Sequence, residues 1–472
     1  MEFLHRSLVL TLFLLSLSTL TALSYTFFSP VDNYLIDCGS TLDSTVDNRL
    51  FISDSSRFKS HWLSSTRSVS LKSNNPFDVS PRIYQTARVF TKPSRYEFEI
   101  KDKGTHMVRL HFHTLSSSKF DFSDAQFHVL VNGFVVLSDF IGGNLDSPKV
   151  MEYLIWVETG RLVITFVPTC KSKFAFVNAI EVISAPKDLI VDTAQYVSSE
   201  KIEQFDGLVE QALEVVYRVN VGGPKVTPFN DTLWRTWVPD NDYLKSSFGS
   251  KRVYFSGRIR YQVGGASREV GPDNVYNTAR VIKSTNASIP DVNITWVFPV
   301  MGGFKYLVRL HFCDIASISI ALLYFNVYVN GNLAYKDLDL SGVTNYELAA
   351  PFYADYVVDG DSSGVLTVSV GPSNMSYAYG IDGILNAVEI MKLNNSMGSL
   401  VGDLPAEFIL KSWPRGNIHV LVPLIAAVCL LVILSLVMRR RMTGLKDSVM
   451  WSKLPMDVSD VNVNVKSGSP QP

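Results

Sequence analysis

Four blocks of this sequence occur twice in the same order, and that duplication constrains the fold more than any other feature. Tyr84-Gln85-Thr86-Ala87-Arg88-Val89 returns as Tyr276-Asn277-Thr278-Ala279-Arg280-Val281, and Val108-Arg109-Leu110-His111-Phe112 returns unchanged as Val308-Arg309-Leu310-His311-Phe312. Phe127 to Gly133 is echoed by Phe325 to Gly331, and Asn178-Ala179-Ile180-Glu181-Val182-Ile183 by Asn386-Ala387-Val388-Glu389-Ile390-Met391. The offsets are 192, 200, 198 and 208 residues, so order is kept while loop lengths drift. A repeat this long exceeds any solenoid unit, and each copy is expected to hold its own core.

Within each copy the apolar pattern has period two and uses strand-forming residues. Met107 to His113, Phe127 to Val131 and Leu162 to Val167 alternate, as do Tyr306 to Cys313, Tyr324 to Val329 and Val365 to Val370 in the second copy. Asn132-Gly133 and Asn330-Gly331 follow strands directly and signal tight hairpins. The fold class expected is all-β, with two tandem β-sandwich or jelly-roll domains, residues 25–185 and 215–392. Residues 186–214 read as a connector, in which Ser199 to Phe205 and Leu208 to Leu213 could form short helical turns.

The chain ends point to the secretory route. Residues 1–24 carry His5 and Arg6, an apolar run from Leu8 to Leu20 and the small-residue site Ala22-Leu23-Ser24, the pattern of a signal peptide. Residues 418–438 are nearly free of charge and are followed by Arg439-Arg440-Arg441, as expected of a single transmembrane helix with a cytoplasmic tail at 439–472. Residues 393–417 then read as an extracellular stalk. This predicts a type I single-pass protein of the plasma membrane with its N-terminus outside. Glycosylation sequons at Asn230, Asn286, Asn293, Asn374 and Asn394 all precede that segment.

Composition excludes some classes. A net charge of −1 with 18% charged residues does not suit a nucleic-acid binder held by phosphate neutralisation. The four cysteines include Cys429 within the apolar run. Cys38 and Cys170 could form a disulfide or be buried small hydrophobes, and Cys313, between Phe312 and Asp314, reads as the latter. No Cys/His spacing suits zinc, so neither metal nor cofactor is expected. His111 and His311 occupy identical frames and read as structural strand positions, no carboxylate being evident beside both. Arg88 and Arg280 read as partners of a carboxylate inside each sandwich. No catalytic residue emerges, and the ligand-binding residues are unassigned.

Three stretches carry a family resemblance: Asp32-Asn33-Tyr34-Leu35-Ile36-Asp37-Cys38-Gly39-Ser40, Ile83 to Phe90 and Phe174 to Val182. They resemble the first malectin-like domain of the plant receptor kinases of the Feronia, Theseus and Hercules group. Val216 to Pro224 and Asn230-Asp231-Thr232-Leu233-Trp234-Arg235-Thr236-Trp237 look like the opening of the second. The resemblance implies a cell-surface receptor ectodomain that recognises a secreted signalling peptide with a lipid-anchored co-receptor, or the state of the cell wall. Beyond Met438 only 34 residues follow, against the on the order of 250 of a kinase domain, and no kinase motif is present. The expectation is a receptor-like protein without its own kinase, acting beside kinase-bearing relatives and not as an enzyme. The alternatives are a carbohydrate-binding, lectin-like anchor to cell-wall glycan, and a truncated or mis-predicted form of a serine/threonine receptor kinase.

Overall fold

The computed structural model describes residues 28–55, 62–65, 67–74, 81–143, 145, 147–158, 160–282, 292–376, 380–413 and 418–447. Residues 1–24, read as a signal peptide, Asn286 and the tail after Asp447 lie outside them. The structure is mostly β-sheet with few helices.

Alternation along the duplicated strands explains its layers. In strand Gly104–Phe112, Val108, Leu110 and Phe112 face a core completed by Tyr96, Phe98, Phe127 and Phe166 of a separate five-stranded sheet. In strand Lys305–Cys313, Val308, Leu310 and Phe312 do the same against Trp296, Phe298, Phe325 and Val368 of a four-stranded sheet. Each copy thus closes its own apolar core, as sandwich packing requires. Both Asn-Gly pairs turn with positive φ at each residue and join strands paired Phe134↔Val131 and Asn332↔Val329.

The other faces of these strands are buried as well, because the two copies share one sheet. Thirteen strands form it, and strand Leu213–Asn220 of the second copy pairs with Lys149–Val157 of the first at Glu214↔Tyr153 and Leu213↔Leu154. A third apolar cluster covers this sheet across the join, with Met107, Leu154 and Ile183 beside Leu213, Leu307 and Met391.

Two segments between and after the copies are more ordered than their composition suggests. Residues 202–205, expected as a helical turn, form strand Ile202–Phe205, paired antiparallel with Ala194–Val197, which in turn joins strand Pro351–Asp359. Only Leu208–Glu210 makes a helical turn, a short 3-10 one. In the segment read as a stalk, the chain returns to the first copy. Ser399 bridges Val135, the Leu400 amide donates to the Val135 carbonyl at 2.9 Å, and Leu400 is fully buried in the first core. Ile409, on helix Ala406–Ser412, packs on Leu130, Val135 and Val167.

A separate unit after Trp413 contains helix Ile418–Asp447. Among the described residues no helix is long and apolar enough to cross a membrane.

Candidate functional site

Strand register places a row of alternating charges across the shared sheet. Glu181 lies opposite Arg109, and Arg109 opposite Glu152. Arg218 lies opposite Glu389, Glu389 opposite Arg309, and Arg309 opposite Asp355. The join is closed by Glu152, whose Oε2 accepts from Arg109 Nε at 2.6 Å while Oε1 accepts from Arg218 Nη2 at 2.7 Å. Seven neighbouring strands therefore carry minus, plus, minus, plus, minus, plus, minus. Arg49 extends the row by a two-pronged bond to Glu181, at 2.6 and 3.2 Å. Such pairs tolerate burial because each guanidinium meets carboxylates at hydrogen-bond distance.

Burial and pairing oppose each other in the carboxylates. Burial pushes Glu152 up, but Arg109 and Arg218 more than offset it and hold the acid at about 2. Burial also acts on Glu181 and Glu389, and the facing cations again prevail, so both are held well below the usual carboxylate range.

Each copy adds a Tyr–His–Glu chain to this row. The Tyr84 hydroxyl stands 2.8 Å from His111 Nδ1, and His111 Nε2 stands 3.0 Å from Glu181 Oε1. In the second copy the Tyr276 hydroxyl is 3.0 Å from His311 Nδ1, and His311 Nε2 is 3.3 Å from Glu389 Oε2. An ionised carboxylate only accepts, so each ring donates through Nε2 and accepts the tyrosine proton at Nδ1. A carboxylate thus does recur beside both histidines, contrary to the sequence expectation. The structural role expected of them stands, because Glu181 already accepts from Arg49, Arg109 and His111. Each such chain ties a short helical turn, Arg82–Tyr84 or Asp273–Tyr276, to the shared sheet.

Arg88 and Arg280 meet carboxylates as expected. Arg88 binds Asp54 at 2.5 and 2.9 Å, and Arg280 binds Asp240. Tyr96 and Trp296 donate to the same two aspartates, at 2.7 and 3.0 Å.

The copies differ at the surface above their histidines. Trp237 covers His311, ring centroids 5.5 Å apart, and both residues are fully buried. Over His111 there is instead a cleft of about 600 Å³, lined from the first copy by Asp47, Arg49 and Tyr84 and from the second by Lys225, Trp234 and Tyr243. Trp234 adopts φ of +54°, rare for a bulky residue, and its ring lies 5.0 Å from the Arg49 guanidinium. Asp231 fixes this loop by accepting from the Leu233 amide at 2.8 Å and from Trp237 Nε1 at 2.8 Å.

The residues singled out in the sequence are scattered. Asn230, Asn293 and Asn374 are exposed; Asn230 adjoins Pro228 at the cleft. Asn394 is half-buried, its Oδ1 accepting from the Ala212 amide at 2.7 Å and its Nδ2 donating to the Asn395 carbonyl at 2.9 Å. Cys38 and Cys170 are not joined: Cys38 is sealed in the first core, whereas Cys170 is exposed on a turn, its thiol 3.1 Å from Ser172 Oγ. Cys313 is fully buried, as its apolar setting implied.

All of these residues except Asn394 and the segment after it fall in the stretch, residues 36–393, that matches the malectin-like domain. The chain belongs to the malectin-like family. It is 46% identical over 383 residues to the probable receptor-like protein kinase At5g24010 of Arabidopsis thaliana, covering 80% of this chain and 46% of that protein. It is 41% identical over 377 residues to the receptor-like protein kinase HERK 1 of the same plant, covering 79% and 44%. This malectin-like chain spans about half the length of these relatives, and what aligns is their ectodomain. Among solved structures it is similar to a chain of the plant peptide RALF23 in complex with FER and LLG2, with a TM-score of 0.68 and 32% identity over 80% of this chain and 100% of that one. The plant receptor-like kinase ANX2 gives a TM-score of 0.70 at 29% identity, over 79% and 99%.

Proposed function

We propose that residues 25–392 form two tandem malectin-like domains, 25–185 and 215–392, that serve as the ectodomain of a cell-surface receptor-like protein. Its ligand is a secreted signalling peptide, taken together with a lipid-anchored co-receptor. The observation that carries this is the likeness, over the whole of the neighbouring chain, to a structure containing a peptide, FER and LLG2. The charge row supports it, since Glu152 ties both copies into one sheet.

The surrounding assignments belong to the same reading: a signal peptide at 1–24, a plasma-membrane span at 418–438 and sugars on Asn230, Asn286, Asn293, Asn374 and Asn394. Glycopeptide mass spectrometry tests the last of these. Whether phosphoryl transfer is supplied in cis or by a kinase-bearing relative is decided by reading the transcript beyond the codon for Pro472. The recognition role is tested by titrating the purified chain with a RALF-type peptide, with and without an LLG-type co-receptor. Saturable binding that tightens with the co-receptor is expected. Binding on a cell-wall glycan array with none to peptide would replace this reading with the lectin one.

A further inference from the structure

The shared sheet has a gap in its edge. Strand Pro351–Asp359 pairs along its full length with Lys305–Cys313 on one side. On the other side strand Ala194–Val197 lies parallel to it and meets it only at Gln195↔Tyr356 and Tyr196↔Val357. Among the described residues nothing pairs with the outer edge of Phe352 to Asp355. A free edge of four residues runs about 13 Å at ~3.3 Å per residue and presents alternate unpaired N–H and C=O groups.

A groove of about 860 Å³ lies along that edge, with the Ala194 strand and its hairpin partner on one side and Gly264 to Ala266 on the other. Tyr335, Phe352 and Tyr353 give it aromatic surface, and Gln195 and Gln204 give it amides. Its acids are Asp188, Glu203 and Asp355, and no lysine or arginine lines it. Asp355 is neutralised by Arg309 at 2.7 and 2.8 Å, and Glu203 faces Lys201 at 2.8 Å. Asp188 makes no ion pair among the described residues. Tyr356, which borders the groove where pairing stops, is buried in the second copy's apolar core and offers the groove no side-chain polar group.

We propose that this gap is a docking slot for an extended peptide segment, neutral or basic, that adds as a strand to the free edge at Phe352–Asp355. The chain already uses the same edge this way, since the Ala194 strand adds to it one residue further on. Strand addition explains why the groove follows a backbone edge, and the absence of lining cations explains why an acidic segment is disfavoured. The proposal rests on the peptide-receptor reading and places the peptide on the second copy, away from the cleft over His111.

The test pans the purified full chain against phage-displayed random dodecapeptides and follows the enriched peptides by titration and amide hydrogen exchange. Gly265→Gln should plug the slot without strain, because a Cβ there meets nothing closer than 3.5 Å. Enriched peptides are expected to bind this variant roughly tenfold more weakly or worse. The amides of residues 352–355 should gain protection on binding. Unchanged binding to Gly265→Gln, or protection elsewhere, overturns the slot while leaving peptide recognition intact. Failure to enrich any peptide overturns both. Protection of the same amides by a cello-oligosaccharide instead would also overturn the peptide assignment. Should Gly265→Gln fail to fold, the exchange results on the parent chain decide alone.

Discussion

Glu152 is the carboxylate that joins the two copies, and its replacement by glutamine tests whether the charge row holds the ectodomain together. The side chain is 9% exposed and binds Arg109 of one copy and Arg218 of the other. A fall from its ordinary 4.5 to about 2 in the folded protein corresponds to about 3 kcal/mol at ~1.4 kcal/mol per tenfold change in proton affinity. Removing one member of a buried ion pair costs about 3–5 kcal/mol in general, which agrees. For roughly 390 residues unfolding together, at ~2.1 cal/mol/K per residue, that lowers the melting temperature by about 4 °C. Because the folded value is depressed, this stabilisation is complete above 4.5 and is lost as the pH falls through about 2. Glu152→Gln and the parent should therefore converge in that window. The assay is calorimetric melting at pH 7 and at descending pH. Loss of the shared carboxylate should also split one transition into two, whereas Asp355→Asn, within the second copy, should lower stability without splitting. A Glu152→Gln protein that melts within ~1 °C of the parent in a single transition would refute the reasoning.

Three further outcomes follow from the packing. Leu400→Ala or Ile409→Ala should cost about 2–4 kcal/mol and raise hydrogen exchange in strands Gln126–Val131 and Phe134–Ile141, leaving Tyr324–Val329 unchanged. Gly39 and Gly222 both adopt left-handed φ, and a Cβ on them would lie 2.1 and 2.2 Å from the Ala87 and Ala279 carbonyl oxygens. Alanine at either should lower the unfolding free energy measured in urea alike, by more than about 1 kcal/mol, and unequal effects would break the equivalence of the copies. Burial pushes His311 down and outweighs the hydrogen bond it donates to Glu389. Its folded value lies below its unfolded one, so stability is present above about 6.5 and is lost as the pH falls below it. The urea midpoint should fall between pH 7.5 and 5.5, less so in His311→Asn.

Local signals were enough for the strands and hairpins: the period-two runs and the Asn-Gly pairs act within a few residues, and all appear where expected. The charge row was written in the same repeats but could not be read from them. Glu181 and Glu389 stand in the duplicated blocks, yet only the antiparallel register brings them opposite Arg109 and Arg309. Glu152 and Arg218 lie outside the blocks, so no repeat could flag them. Ile202 to Phe205, rich in Glu and Gln, has the composition of a helical turn, and pairing with Ala194–Val197 overrides it. The stretch after Leu393 looked loose because its polar residues outnumber Leu400 and Ile409, whose apolar partners are more than two hundred residues earlier.

The return of that stretch to the first copy has a mechanical meaning. The chain leaves the second copy at Leu393, where Asn394 holds the Ala212 amide, and is then pinned to the Val135 strand through Gly398 and Leu400. Tension applied beyond Trp413 is borne first by Ile409 and Leu400, seated in the first copy, and reaches the Ala387–Leu393 strand only after they are pulled out. The copy that is more distant in sequence is thus the first to be loaded, and the slot proposed on the second copy is shielded from traction until that anchorage fails.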